Sequence, residues 1–264
     1  MRSELSRARR RELLRAALAM TAKTGALIRR RLARGPRVRV KKDGSYVTDA
    51  DLAAEQLLRA EIIRRFPDHG IQGEEFGARN SKSDFQWLLD PIDGTLSFTR
   101  GIPLFGTIVG LFWRGKPLLG VIDHPALGET YAAAAGLGAS RNGKPLKLAA
   151  PRASIDDELV AVCYRDQFLR CGKQAVFDRL MKSHPQVRTY GDCFGHTLAA
   201  EGAVGAMVDY DINPWDLAAT QILIEEAGGK YVRLGGRTLP GGKQRFNIMF
   251  GKPKVVDWLL KVLK

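Results

Sequence analysis

A mixed α/β (α+β) fold in packed layers is predicted by three features of this 264-residue chain. Stretches with apolar residues at helical spacing alternate with short apolar runs of strand length. Gly/Pro-rich turns separate the strand-like runs, and Arg141-Asn142-Gly143-Lys144 has the chemistry of an antiparallel hairpin turn. Helices and hairpins mixed in this way must bury their apolar faces on one another in layers. An apolar content of 45% and a charged content of 27% are those of a globular protein with enough chain to form a core.

The elements follow in order. Residues 4–34 read as one helix, with Leu14, Leu18, Ala22, Ile28 and Leu32 as its apolar stripe, Gly25 on the same face and Gly35-Pro36 as its stop. Val38 and Val40 alternate with charges before Asp43-Gly44-Ser45, which makes a short hairpin. Thr48 or Asp49 caps a second helix from Asp51 to about Phe66, carrying Leu52, Leu57, Leu58, Ile62 and Ile63, and Pro67-Asp68-His69-Gly70 ends it. Ile71 to Glu75 is a short segment ending in acid, and Trp87 to Leu89 is an apolar strand running into Asp90. Strands follow at Ile102–Phe112, Lys116–Asp123 and Glu129–Ala134. The second half is read as strand Val160–Tyr164, helix Phe168–Lys182, strand Val187–Tyr190, helix Gly195–Gly202 and strand Ala206–Tyr210. Helix Asp216–Ala227 closes on Gly228-Gly229, and Tyr231-Val232 starts another strand. No repeat or low-complexity linker divides the chain. A soft boundary near 145–155 suggests an N-terminal subdomain at 1–148 and a C-terminal one at 149–264, forming one catalytic unit.

Composition narrows the function classes. No run approaches the roughly 20 apolar residues of a membrane span, and Arg15 interrupts the first apolar run, so an amphipathic helix fits better than a signal peptide. Cys163, Cys171 and Cys193 have no metal-type spacing, which predicts reduced thiols and a cytoplasmic location. The net charge of +14 concentrates at the front, from Arg7 to Lys42. No RNA-binding signature or aromatic-basic interleaving accompanies it, so it is read as a solvated face rather than a nucleic-acid interface. A positive field also draws small phosphorylated molecules. The contrasting class is a basic nucleic-acid binder with a vestigial metal site.

The most informative segment is Trp87-Leu88-Leu89-Asp90-Pro91-Ile92-Asp93-Gly94-Thr95. Its two carboxylates and the intervening Ile92 carbonyl are hard oxygen donors of the kind Mg2+ takes. The Gly94-Thr95 amides suit phosphate oxygens. Alone, the segment reads equally as an acidic turn. Three further acidic places sharpen it: Thr48-Asp49-Ala50-Asp51, Gly73-Glu74-Glu75, and Pro214-Trp215-Asp216-Leu217. Taken singly, each also reads as a helix cap or solvated surface. Trp87 and Trp215 are expected to brace the acidic turns by packing.

In this order and spacing, V-T-x-x-D at 47–51, G-E-E at 73–75, W-L-L-D-P-I-D-G-T at 87–95, P-W-D-L-A-A at 214–219 and E-E-A-G-G at 225–229 resemble the inositol monophosphatase superfamily. These are Mg2+-dependent, lithium-sensitive phosphatases, and the resemblance implies a layered αβαβα sandwich and a homodimer. It implies that Glu74, Asp90 and the Ile92 carbonyl hold a first metal, and that Asp90, Asp93 and Asp216 hold a second. Glu74 also lies near a weaker third; Mg2+ is the expected ion, two to three per site, with Mn2+ as substitute. Thr95 and Asp51 resemble the dyad that orients and deprotonates the attacking water, and Gly94 and Thr95 resemble the phosphate-binding turn. Lys41, or equally Lys42, matches a basic residue upstream of V-T-x-x-D.

Two segments resemble the histidinol-phosphatase group within the superfamily. These are Phe98-Thr99-Arg100-Gly101-Ile102-Pro103 and Arg188-Thr189-Tyr190-Gly191-Asp192-Cys193-Phe194-Gly195-His196. Arg100, Arg188 and Asp192 are therefore candidate substrate residues, and Asp209, with Asp211, joins them because these lie seven and five residues before Asp216, where the resemblance implies that the leaving group is read. Asp192 would pair with the ammonium that histidinol phosphate carries and inositol phosphate lacks, although pairing with Arg188 is the simpler alternative. Asp209 equally reads as a strand-end cap, and His196 as a hydrogen-bonded core histidine. Tyr190, Phe194 and His196 depart from the Trp, Tyr and Tyr of that group. The expected activity is hydrolysis of a small phosphate monoester, histidinol phosphate first, with inositol 1-phosphate or a broader set of sugar phosphates as the alternative.

Overall fold

The computed structural model describes residues 5–42 and 44–263. The expectations for Glu4 and Asp43 lie outside them. The first helix, α1 (Arg7–Ala33), starts at Ser6, whose side chain accepts the Arg9 amide. Its buried stripe is Leu13, Ala16, Ala17, Met20, Thr24 and Ile28. The stripe is thus centred one position before the predicted one: Leu14 and Leu18 flank it, and Ala22 is exposed. The hairpin forms from β1 (Val38–Val40) and β2 (Tyr46–Thr48). Helix α2 (Asp49–Arg65) is capped by Thr48, and Asp51 reaches back to the Thr48 amide in a capping box.

The next strands are β3 (Gly70–Gly73), β4 (Gly77–Arg79) and β5 (Phe85–Asp93), followed by the single helical turn α3 (Thr95–Thr99). Then come β6 (Gly106–Trp113), β7 (Lys116–His124), β8 (Glu129–Ala134), β9 (Gly138–Arg141) and β10 (Lys144–Leu146). The Asn142-Gly143 turn joins the last two as expected. Strand β6 starts at Gly106 rather than Ile102, because Ile102–Phe105 serves as the return loop from α3.

The second half contains β11 (Val160–Val162), α4 (Arg165–Arg170), α5 (Gln174–Ser183), β12 (Val187–Thr189), α6 (Asp192–Glu201) and β13 (Ala206–Ile212). It closes with α7 (Thr220–Glu226), β14 (Lys230–Thr238), β15 (Gln244–Gly251) and α8 (Pro253–Val262). The helix expected at Phe168–Lys182 is broken at Gly172, a left-handed residue that ends α4 and lets α5 start afresh. The helix expected from Asp216 starts four residues later, so Asp216 occupies a turn.

Strands β3 to β10 form an eight-stranded sheet in the order β10-β9-β8-β7-β6-β5-β3-β4. Strands β11 to β15 form a second sheet, β12-β11-β13-β15-β14. Leu13, Ala17 and Met20 of α1 and Leu58 and Ile62 of α2 pack on one face of the larger sheet, over Trp87, Leu89, Val109 and Val121. Its other face meets α6 and α7, where Ile108, Ile122 and Tyr131 join Ala199, Ile222 and Leu223. Ala161, Met207, Ile248 and Phe250 of the smaller sheet complete that core. Their strand neighbours Val160, Val162, Val208 and Met249 point the opposite way, into a core with α4, α5 and α8. The layer order is therefore αβαβα. Among the described residues, no helix is long and apolar enough to cross a membrane.

Candidate active site

Asp90 and Asp93 lie three apart on β5, a spacing that sends side chains to opposite faces of a regular strand. The strand is not regular there. Asp90 pairs with Ile108 and Asp93 with Gly106, so three steps on β5 match two on β6 and leave one extra residue. Pro91 cannot donate to the ladder, which is where a bulge is least costly, and Thr107 Oγ1 donates to the Pro91 carbonyl (2.8 Å). The bulge brings both carboxylates to one side.

The third carboxylate arrives from the second half. Asp216 Oδ2 accepts from the Asn213 amide (2.9 Å) and from Asn213 Nδ2 (3.1 Å), which fixes its turn. That turn can rest on the sheet because β6 and β7 carry glycine beneath it. A Cβ on Gly110 would stand 2.1 Å from the Ala218 carbonyl oxygen, and one on Gly120 would stand 2.5 Å from Ala219 Cα. Asp90, Asp93 and Asp216 each offer an oxygen within 4.8 Å of the others. Glu74 joins them because β3 runs parallel to β5 with Gly73 opposite Leu89, and the Glu74 amide donates to the Leu89 carbonyl (3.2 Å).

These carboxylates are under electrostatic strain. Burial, then Glu74, Asp93 and Asp216, pushes Asp90 well above the ordinary carboxylate range. Burial, then Asp192 and Asp216, does the same to Asp93, although the Cys193 amide donates to it. Asp216 is pushed up to about 7 by burial and then by Glu74. Asp90 Oδ1 is buried with no hydrogen-bond partner. An unpartnered buried oxygen amid three like charges is the donor set of a hard divalent cation. At the rim, Lys41 Nζ donates to Glu74 Oε1 (2.8 Å) and Glu75 Oε1 (2.7 Å).

Beside the carboxylates, Gly94 adopts a left-handed conformation (φ 80°) that turns the chain from β5 into α3. Thr95 Oγ1 donates to the Ile92 carbonyl (2.9 Å) and lies 3.3 Å from Asp51 Oδ1. Asp51 is pushed up to about 6 by burial, against the stabilising bonds from Thr48. That is a value suited to a general base near neutral pH.

The candidate substrate residues separate into two groups. Asp192 stands close to the Gly94 turn, its Oδ2 3.2 Å from where a Cβ on Gly94 would be. The Tyr164 hydroxyl donates to Asp192 (3.0 Å), and burial pushes its carboxyl up to about 6. The alternative pairing with Arg188 is not formed, since Arg188 is exposed and donates to the Val187 carbonyl. Asp209 lies within β13 rather than at a strand end, 2% exposed, with Oδ2 3.0 Å from His196 Nε2. Its Oδ1 is buried without a partner. Thr220 Oγ1 holds the other nitrogen of His196 (2.8 Å). Arg100 is exposed at the end of α3 and makes no ion pair among the described residues. Sequence reasoning missed Tyr164 and Glu55. Glu55 is a fully buried carboxylate beneath the Glu74 loop, and its spacing of four from Asp51 and three from Leu58 was the available signal.

The chain is similar to known proteins over most of its length. The chain is 42% identical over 189 residues to the histidinol-phosphatase of Chlorobaculum parvum, a match spanning 72% of this chain and 73% of the relative. It is 30% identical over 230 residues to a fructose-1,6-bisphosphatase/inositol-1-monophosphatase of Aquifex aeolicus, covering 85% and 84%. The solved inositol monophosphatase of Anabaena superposes with a TM-score of 0.81 at 30% identity, over 96% of this chain and 95% of that one. The family model for inositol monophosphatases matches residues 9–256. With its layered fold, its acidic cluster and nearly its whole length accounted for, the chain belongs to the inositol monophosphatase family and is a phosphoric monoester hydrolase.

Proposed function

We propose that this phosphatase is Mg2+-dependent and that its substrate is histidinol phosphate. The ion would be held by Asp90, Asp93, Asp216, Glu74 and the Ile92 carbonyl, two to three ions per site, with Mn2+ as a substitute. When bound, divalent ions supply charge neutralisation to the phosphoryl group and lower the pKa of the attacking water. The chain's own residues do the rest. The amides of Gly94 and Thr95 receive phosphate oxygens. Thr95 Oγ1 orients the water and relays its proton: the hydroxyl turns from the Ile92 carbonyl to give its own proton to Asp51 as it takes one from the water. The two halves proposed at 1–148 and 149–264 act as one unit, because Asp216 from the second completes the cluster begun by the first.

The observation that carries the substrate is the place of Asp192 beside the phosphate turn. A carboxylate there forms an ion pair with a substrate ammonium, whereas an inositol ring offers it only neutral hydroxyl donors. Similarity to the histidinol-phosphatase of Chlorobaculum parvum supports the reading. The Aquifex relative favours inositol 1-phosphate or fructose 1,6-bisphosphate as the second reading. The reading includes a cytoplasmic location and a homodimer.

The deciding experiment compares kcat/KM for histidinol phosphate, inositol 1-phosphate, fructose 1,6-bisphosphate and adenosine 3′,5′-bisphosphate, with and without EDTA. Histidinol phosphate should lead, and Asp192→Asn should lower it selectively, by about 10-fold or more. A clear lead for inositol 1-phosphate, or an equal loss on every substrate, overturns the assignment. Salt-dependent nucleic-acid binding with no turnover of any monoester would instead favour the binder class.

A further inference from the structure

We infer that Glu55 is a positioning residue for Glu74, setting the affinity of the cluster for divalent cations from beneath; this rests on the metal-dependent reading above. Glu55 is on α2 and 0% exposed, an uncommon place for a carboxylate unless every oxygen is occupied. Both are. Oε2 accepts the Glu75 amide (2.7 Å), and Oε1 accepts the Phe76 amide (3.2 Å) and Arg59 Nε (2.7 Å). Arg59 also donates to the Gly77 carbonyl, so three consecutive residues after Glu74 are tied to one helix.

The residue before Glu74 is shaped to the same carboxylate. A Cβ on Gly73 would stand 2.0 Å from Glu55 Oε1, inside any allowed contact. Glycine at this position lets the carboxylate rise to the loop. The Glu74 amide itself is held on β5 by the Leu89 carbonyl. Glu74 is thus fixed on both sides, with Leu89 setting its distance from Asp90 and Glu55 setting the direction in which the chain leaves it. The ladder of β3 ends at Gly73 and cannot do this. Rigid orientation of a ligand by a neighbouring hydrogen-bonded group is what outer partners supply at metal sites, and losing one typically weakens metal binding by about 10–100-fold.

The test uses Mn2+ alone as the probe, titrated into the full chain and followed by the EPR signal of free Mn2+. Glu55→Gln keeps the volume but turns an amide NH2 toward either the Glu75 amide or the Phe76 and Arg59 donors, since its one oxygen can serve only one side. Gly73→Ala leaves every charge in place and displaces the carboxylate from the other side. Both should weaken Mn2+ binding by at least about 10-fold and raise the Mg2+ concentration for half-maximal activity. KM at saturating Mg2+ should stay within about 2-fold of the parent. Glu61→Gln removes a carboxylate on the same helix that pairs with Lys23, Arg64 and Arg65, and should leave Mn2+ affinity unchanged. In the unaltered protein the Glu75 and Phe76 amides should exchange slowly with deuterium. Normal Mn2+ affinity in either folded variant overturns the inference, as does fast exchange at both amides. Failure of the parent protein to bind Mn2+ at all would overturn the metal reading instead.

Discussion

Glu158 and the Asp90–Asp93–Asp216 cluster are both buried carboxylate assemblies, and the fold treats them in opposite ways. Glu158 is 1% exposed and faces Lys252, which is 3% exposed. Lys252 Nζ donates to both of its oxygens (3.0 and 2.9 Å), and the Arg152 amide adds a third bond (2.6 Å). The charge is balanced within the chain. In the cluster, three carboxylates meet and, among the described residues, no Lys or Arg pairs with any of them. Lys41 reaches only Glu74 and Glu75 at the rim. Burying a carboxylate costs several kcal/mol unless it is compensated. The first assembly is therefore finished by folding, and the second is left for a cation from solution, as the proposed function requires. Unbalanced burial is what separates the reactive site from a structural ion pair of similar depth.

The sharpest break of this contrast is Asp93→Asn. Phosphate release should fall by about 10^3-fold or more, while urea unfolding in EDTA shows equal or greater stability, because one repelling charge is gone. A variant less stable than the parent by more than about 1 kcal/mol in EDTA would show that the cluster holds the fold rather than strains it. The opposite outcome is expected at Lys252→Met. That change leaves Glu158 buried and alone, so unfolding should cost about 3–5 kcal/mol less. Activity per folded molecule should be unchanged. Adding Glu158→Gln should recover most of the loss, since the amide still accepts from Arg152; no recovery would mean that Lys252 acts by packing.

The pH dependence of the metal-free protein sharpens the comparison further. Asp216 is raised to about 7 and Asp51 to about 6, both first by burial. In the unfolded chain both titrate near 3.8. The folded state thus holds more protons between those limits, so the contribution of these two groups to stability in EDTA should be greatest below about pH 4. It should be lost as pH rises through 6 and 7, by several kcal/mol, on the order of 5. Saturating Mg2+ should flatten the slope, because it replaces the protons as counter-charge. A metal-free slope of the opposite sign would mean the carboxylates are not forced together.

How much of this was legible follows from the same physics. The order Glu74, Asp90-Pro91-Ile92-Asp93, Asp216 is readable because each group sits in a short motif with its own turn chemistry. The layers are readable because apolar runs of strand length alternate with helix-length segments, although α2 itself buries Asp51, Glu55 and Glu61 and exposes Ile63 of its predicted stripe. The turn at Asp216 was misread as a helix start, since an aspartate before an apolar run looks like a cap. In the fold its oxygen is committed to Asn213 and to the cluster instead. The close approach of Ala218 and Ala219 to Gly110 and Gly120 was not read from the sequence, and only the fold shows it. Arg100 and Arg188 were singled out by resemblance, and they remain exposed without contact to the carboxylates. Long-range pairing, not local propensity, decides such positions.

His69 shows a third way of burying a titratable group, which is to discharge it. Its ring is stacked between Phe66 (4.8 Å) and Phe85 (4.5 Å), and Trp87 Nε1 donates to Nδ1 (3.0 Å). That bond needs Nδ1 as an acceptor, so the ring is neutral with its proton on Nε2. Burial, and then the charge of Arg9, lowers its pKa from 6.5 to about 4. Here the unfolded chain binds the extra proton. Stability from this group is therefore full above pH 6.5 and lost as pH falls toward 4, by about 3 kcal/mol. The sign is opposite to that of the cluster. His69→Phe should keep the stack and remove this acid-side loss, at the smaller and pH-independent cost of leaving the Trp87 N–H without an acceptor. Unfolding curves in saturating Mg2+, where the cluster is silent, isolate the effect. An unchanged slope between pH 4 and 6.5 in the variant would place the acid sensitivity elsewhere.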